Sequence, residues 1–393
     1  MGLFRRFKGD PKTEFANMVL ADLRDRGVSE CSYIEDDFAV AYKRSDGGGG
    51  HIYLQNTFAD CDGADDDYIR QRIANLVQAV AFPPERPSSW AEARPNLRGV
   101  IRNATFGLGA PDTAKTILSR PWQPFLSEMA VIDTPTAMSY VTEDDLVTWE
   151  VSKEDVFAAA RANLADRRPS APAERQIMRF VDAGDSYFVS MLLVEGWLAS
   201  FALTPQDRPV AFITDTSSLV VVPGATTITP LLEMAEEEYS RAGRSISPQA
   251  YTVDADGRVV PYPELAGRDD AVKVHRAATI LAGNEYATQK HWLDQRHEAQ
   301  SVDVFTASCT VMQREDSSLF SYTTWPDGVD TLLPRADFVA MAADEASFFV
   351  EWPMLTEFVT LEPERGLYPV RYRVRQWPDA ETVAALRSRA VSP

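Results

Sequence analysis

The chain has 393 residues, 45% hydrophobic and 25% charged, and 39 Lys plus Arg against 58 Asp plus Glu give it a formal charge of −19. That composition is one of a folded globular protein of two or three domains and excludes a largely disordered chain. The negative field repels a phosphate backbone and an anionic bilayer alike, so no nucleic-acid partner is expected.

At the N-terminus, Met1-Gly2-Leu3-Phe4-Arg5-Arg6-Phe7-Lys8 is basic and apolar, but polar residues follow at once and no signal-peptide core forms. Arg6 stands where a myristoylation signal needs Ser or Thr. The plain reading is a cationic tail; the sharper one is a foot that touches membrane. Phe15, Met18, Val19 and Leu23 fall at helical spacing, and Gly27 is placed to close that helix. Phe38, Val40 and Tyr42 alternate as a strand. Asp46 and Gly47 to Gly50 turn the chain, and Ile52 and Leu54 continue on a second strand. Ile69, Ile73, Leu76, Val77 and Val80 predict an amphipathic helix stopped by Pro83-Pro84. Residues 10–82 therefore read as a helix-hairpin-helix unit. Residues 83–95, with Pro83, Pro84, Pro87 and Pro95, read as a linker.

A central domain is expected over 96–264. Short strands are predicted at Val131-Ile132 and Tyr140-Val141. Ser152, with Asp155 three residues on, caps a helix carrying Val156, Phe157, Ala160 and Leu164. Tyr187 to Leu192 fits a strand or a buried helix equally. Phe188 to Leu203 is the longest apolar stretch. Glu195 interrupts it and it is too short for the ~20 residues that span a bilayer, so no transmembrane segment is expected. Trp197 within it should be buried. Val210 to Ile213 and Leu219 to Val222 read as strands, Leu232, Ala235 and Tyr239 as one helix face closed by Gly243, and Asp254 to Gly257 as a hairpin turn. Residues 265–393 read as a long helix to about 300, then mainly antiparallel strands (302–312, 319–324, 348–350, 370–374), then a surface helix over 379–389. The fold class is α+β, antiparallel sheets with helices packed on one face, in two or three units.

The three cysteines, Cys31, Cys61 and Cys309, are odd in number and widely spaced, which fits a reducing cytoplasm better than a disulfide framework. His291 and His297 are six apart and diverge on a helix, so no metal site and no cofactor are expected. Asp60, Asp62, Asp65, Asp66 and Asp67 surround Gly63. A calcium loop would need glycine sixth and Glu twelfth, where this chain has Asp65 and Gln71, so the acids are better read as opening a helix. Gly107-Leu108-Gly109-Ala110 lacks a third glycine and a preceding buried strand for nucleotide binding.

Gly184-Asp185-Ser186, with Asp294-Gln295-Arg296-His297, resembles the serine and base blocks of Gly-Asp-Ser-Leu esterases. Serine catalysis would need His297 on Ser186, oriented by Asp294. The intervening Gly and Asn blocks that build an oxyanion hole are absent, and Tyr187 follows the serine in place of Leu. A polar turn is the plainer reading. Arg371, Arg373 and Arg375 would share one strand face, either as an anion or acidic-partner site or as cross-strand partners of the chain's own carboxylates.

The middle of the chain resembles a bacterial family, domain of unknown function 1444. The likeness runs from Tyr140-Val141-Thr142 through Trp149-Glu150-Val151-Ser152 and Ala162-Asn163-Leu164 to Gly184-Asp185-Ser186-Tyr187-Phe188-Val189. It continues through Arg208-Pro209-Val210-Ala211 and Ser245-Ile246-Ser247 to Asp256-Gly257. It covers roughly residues 130–262 and extends faintly into the first unit. The family's Asp-Gly-Tyr-Asp-Ala-Ser-Arg run reads here Glu195-Gly196-Trp197-Leu198-Ala199-Ser200-Phe201. Any chemistry resting on the second acid and the basic residue is therefore lost in this chain, and the resemblance implies no activity. The leading expectation is a cytoplasmic protein that binds a protein partner, as adaptor, chaperone or immunity-type factor. The alternative is a serine hydrolase using Ser186, Asp294 and His297.

Overall fold

The computed structural model describes residues 10–61, 63–82, 85–109, 115–134, 138–171, 176–182, 187–204, 207–224, 228–263, 270–343 and 346–393. Met1 to Lys8, Asp62, Pro83-Pro84, Ala110 and Gly184-Asp185-Ser186 lie outside them. The chain divides into two compact units, Met1–Arg98 with Ala130–Asn163 and Gly99–Met129 with Leu164–Pro393.

In the first unit, α1 (Pro11–Asp25) opens on Asp10, whose carboxylate accepts the Thr13 N–H at 2.9 Å. It ends at Gly27 as predicted. With φ at +87°, Gly27 lets its own N–H reach the Arg24 carbonyl and the Val28 N–H reach that of Leu23. The chain then forms β1 (Glu30–Ile34), β2 (Ala39–Lys43) and β3 (Gly49–Tyr53), an antiparallel sheet in the order β1-β2-β3. The expected hairpin is β2–β3; β1 is an additional edge strand, inconspicuous because only Cys31 and Tyr33 turn toward the core, each half-buried. After α2 (Gln55–Asp60) comes α3 (Asp66–Ala81), capped by the Asp65 carboxylate on the Tyr68 N–H at 2.8 Å, with Asp66 and Asp67 in its first turn. Val40 and Ile52 pack on Phe15, Val19 and Leu23 of α1 and Ile69, Ile73 and Val77 of α3.

Residues 85–95 depart from the expectation of a free linker. Trp149 donates its indole N–H to the Pro87 carbonyl at 2.9 Å, and its ring meets Trp90 of α4 (Trp90–Ala93). Proline lacks a donor but keeps its acceptor, so a Pro-rich run can still be fastened. The chain continues through β4 (Leu97–Asn103), β5 (Ser119–Gln123), β6 (Leu126–Asp133), β7 (Met138–Tyr140), α5 (Glu143–Trp149) and α6 (Lys153–Ala165). The division between the units falls within β4, β6 and α6. Ser152 and Asp155 exchange the expected capping bonds at the start of α6.

The second unit centres on β8 (Met178–Val181), β9 (Val210–Phe212), β10 (Ser218–Val222), β11 (Ala250–Val253) and β12 (Val259–Pro261), antiparallel in the order β12-β11-β9-β10-β8. Helix α7 (Thr229–Arg241) lays Leu232 and Ala235 over Val210, Phe212, Val220 and Val222. On the opposite face, Ala211, Ile213, Leu219, Val221 and Tyr251 meet two 3-10 helices, Phe188–Leu193 and Leu198–Phe201. Tyr187 to Leu192 is thus neither strand nor α-helix. Trp197 is buried as expected, 2% exposed, its N–H on the Pro169 carbonyl at 3.0 Å. Gly243 does not close α7: the helix stops at Arg241, and Ala242 is already extended.

Residues 265–393 do not form the separate unit expected. They cluster with Gly99–Met129 and Leu164 onward. Thr105 donates both its N–H and its hydroxyl to Glu285 of α8 (Ala271–Gln300), each at 3.0 Å, and Tyr368 donates to the Gln123 carbonyl. Beyond α8 come β13 (Phe305–Thr306), β14 (Thr310–Gln313), β15 (Leu319–Pro326), β16 (Thr331–Pro334), β17 (Phe338–Ala343) and β18 (Ala346–Glu351). Then follow α9 (Trp352–Phe358), β19 (Glu362–Pro363), β20 (Arg371–Val374) and α10 (Ala380–Arg387). They form two sheets, β14-β15-β17-β18 and β13-β16-β20-β19, antiparallel except for the parallel pairs β15–β17 and β13–β16. The whole is α+β, and no described helix is long and apolar enough to cross a membrane.

Candidate functional site

The chemistry-bearing side chains of the second unit gather along α8 and the strands it faces. Leu281, Glu285, Gln289 and Leu293 recur every four residues on the buried stripe of α8. A carboxylate and an amide thus lie where an apolar stripe is expected. Glu285 is sealed beneath Thr105. Burial raises its carboxyl above the ordinary range, although donors from Thr105, Asn103 and Ala104 pull the other way.

Arg371 is fully buried. Its guanidinium donates to Gln289 Oε1 at 2.7 Å and to the carbonyls of Ala307 (2.7 Å), Leu332 (3.2 Å) and Tyr286 (3.0 Å), with its centre 5.2 Å from the Tyr286 ring. Four of its five N–H groups are spent on neutral acceptors. Burial pushes it down to about 10, so it remains a cation at neutral pH. Arg373 pairs with Asp330 at 2.8 Å and with Glu364 at 3.5 Å; its hydrogen bond holds the Asp330 carboxyl below the usual range. Arg375 is exposed. The arginines that β20 was expected to present together are thus dispersed among the core, an intramolecular ion pair and the surface.

The residues of the serine-hydrolase alternative are likewise occupied separately where described. Asp294 pairs with Lys290 at 2.7 Å, and His297 Nδ1 lies 3.5 Å from Thr306 Oγ1. Ser186 lies outside the described residues.

A junction not signalled by any sequence motif forms at Asp337, just before β17. Its Oδ2 accepts the Ser321 N–H (2.7 Å) and hydroxyl (2.9 Å) and lies 3.4 Å from His275 Nε2 of α8. Burial would raise this carboxyl, but the bonds from His275 and Ser321 outweigh it and hold it low. The Ser321 hydroxyl is engaged with Asp337, accepting its N–H in return, so the trio braces β15, β17 and α8. Only separations of 16 and 46 residues along the chain connect the three, which is why no spacing rule could find them.

Beside Asp337 is an open pocket of about 280 Å³ lined by Arg335, Ala336, Asp337, Phe338, Glu351, Trp352 and Pro353. At the far end of the unit's central sheet, β8 pairs with β10 alone among the described residues, and its Ile177 neighbour and Val181 are 60% and 63% exposed. Among the described residues, no group of three or more His, Cys, Asp or Glu side chains is placed to hold a metal ion. No family model matches the chain, and no curated protein or solved structure matches it either.

Proposed function

We propose that the chain works by binding a protein partner in the reducing cytoplasm, as an adaptor, chaperone or immunity-type factor, and without chemistry of its own. The observation that carries this reading is the strand β8, which is the edge of its sheet among the described residues, with Ile177 and Val181 exposed to solvent. An edge with unpaired backbone groups and exposed apolar side chains accepts an added strand from another chain. The inward use of Glu285, Arg371 and Asp337 supports the same reading, since these groups brace the fold. The free thiols of Cys31, Cys61 and Cys309 are in keeping with a reducing compartment. Kinship with domain of unknown function 1444 over roughly 130–262 is part of the proposal and rests on residue pattern alone.

Affinity capture from the native cell tests it, with wild type beside an Ile177→Lys, Val181→Lys double variant. The expected result is one protein retained in stoichiometric amount by wild type and lost by a variant that melts normally. Equal retention by both overturns strand addition at β8, and no stoichiometric partner for wild type overturns the binding reading.

A further inference from the structure

The pocket beside Asp337 carries an inference independent of the protein-binding reading. Its position is fixed by backbone. The Trp352 N–H donates to the Asp337 carbonyl at 2.8 Å, Phe338 stands opposite Glu351 in the β17–β18 register, and the Arg335 N–H donates to Tyr286 Oη at 3.2 Å. Trp352 is held from behind by Tyr372, ring centres 5.3 Å apart. Trp352, Phe338, Pro353 and Ala336 supply the apolar lining.

The charges of the lining divide into spent and unspent. The Asp337 carboxylate is occupied by Ser321 and His275. Arg335 and Glu351 are both exposed, and neither has an ion-pair partner within 4.0 Å among the described residues, including each other. One unspent guanidinium and one unspent carboxylate therefore border the same apolar concavity. At about 280 Å³ it falls just under the ~300–1,000 Å³ typical of small-molecule sites, room for a single residue-sized ligand and not for a nucleotide.

We infer that this pocket binds a free α-amino acid with a large apolar side chain. Its carboxylate meets the Arg335 fork, its ammonium meets Glu351, and its side chain lies against Trp352 and Pro353. A ligand with only one charge leaves the opposite group unanswered, and a charged side chain is desolvated against the aromatic lining without a partner.

Calorimetric titration of the full-length chain tests this, with L-phenylalanine as probe and three controls: N-acetyl-L-phenylalanine, L-phenylalaninamide and L-glutamate. Saturable one-to-one binding of L-phenylalanine is expected. Each capped analogue should bind at least tenfold more weakly, and L-glutamate should give no saturable signal. Arg335→Gln should abolish the preference for acid over amide while retaining the preference for a free amine, and Glu351→Gln should do the reverse. Both substitutions are at exposed positions, and the analogue series on wild type decides the matter even if a variant folds poorly. No saturation by about 10 mM L-phenylalanine, ten times a millimolar Kd, overturns the inference. So does a capped analogue that binds as well as the free amino acid, or L-glutamate binding equally.

Discussion

The three-stranded sheet of the first unit and the five-stranded sheet of the second are both antiparallel, yet they are covered differently. β1–β3 rest on α1 and α3 by one face, and the other carries Tyr53, 68% exposed. β8–β12 are enclosed by α7 on one side and by the 3-10 helices around Trp197 on the other. A side chain of β9, β10 or β11 is buried whichever way it points, so truncation there leaves a cavity that cannot collapse. On the open face of the first sheet, water replaces whatever is removed. The largest expected effect follows directly. Trp197→Ala removes an indole whose ring centre lies 4.8 Å from that of Phe201, and it leaves the Pro169 carbonyl unpaired. It should cost about 3–5 kcal/mol, read as a steep loss in chemical denaturation. A loss under ~1 kcal/mol would mean that enclosure on two faces does not set the cost.

The next test compares arginines on one strand. Arg371→Ala removes the guanidinium from Gln289 Oε1 and the Ala307 carbonyl, and takes a second donor from the carbonyls of Leu332, which keeps the Ala307 N–H, and Tyr286, which lies within α8. With buried unsatisfied groups costing ~1–3 kcal/mol apiece and partial relaxation, a net loss of about 3–4 kcal/mol is expected. Arg373→Ala, two residues on, breaks a half-exposed pair with Asp330 and should cost about 0.5–1 kcal/mol. Equal melting temperatures for the two variants would contradict this ordering.

The same difference in cover governs what could be read from sequence. On the one-sided sheet, alternation survives: Phe38, Val40 and Tyr42 turn inward, and the hairpin, α1 and its Gly27 cap were all legible. Strand β1 was not, because Cys31 and Tyr33 are its only inward residues and an edge strand needs little burial. On the two-sided sheet every residue of β9, β10 and β11 is buried, which erases the period of two and leaves only apolar runs between turns. The 3-10 helices Phe188–Leu193 and Leu198–Phe201 look like a strand or an α-helix for the same reason. Arg371 shows the limit for sites: its position on a strand was legible, but its neighbours come from α8, from Ala307 just after β13 and from β16, which only the fold brings together. Glu285 and Gln289 were findable as polar residues four apart on a stripe that also holds Leu281 and Leu293.

In the first unit the segment around Arg86 tests whether its contacts bear load. Asp145 accepts from Arg86, from the Thr142 N–H at 2.7 Å and from the Thr142 hydroxyl at 2.8 Å. Burial would raise its carboxyl, but the bonds from Arg86 and Thr142 prevail and hold it below the ordinary value. A carboxyl depressed in the folded state contributes stability that is present above its unfolded value of ~3.9 and is lost as pH falls through the folded one. Stability of wild type should therefore fall below about pH 4 more steeply than that of Asp145→Asn. At pH 7 the variant should be less stable by about 2 kcal/mol, from the weakened cap and the lost charged bond. Parallel acid denaturation curves for the two proteins would remove Asp145 from the account.

The smallest effect is expected at Tyr53, on the open face of the first sheet. Its cross-strand neighbour on β2 is Ala39, and its nearest aromatic contact is His51, 6.4 Å away and itself exposed. Tyr53→Ala should change stability by no more than about 0.5 kcal/mol, since it opens no cavity and leaves no buried group unpaired. Val40→Ala, on the opposite face of the same sheet, removes a fully buried side chain from the contact with α1 and α3 and should cost about 1–3 kcal/mol. The ratio between these two positions on adjacent strands is the sharpest measure of one-sided cover, because sheet and unit are held constant. If Tyr53→Ala is as damaging as Val40→Ala, the outer face is covered in solution, and by something other than the described chain.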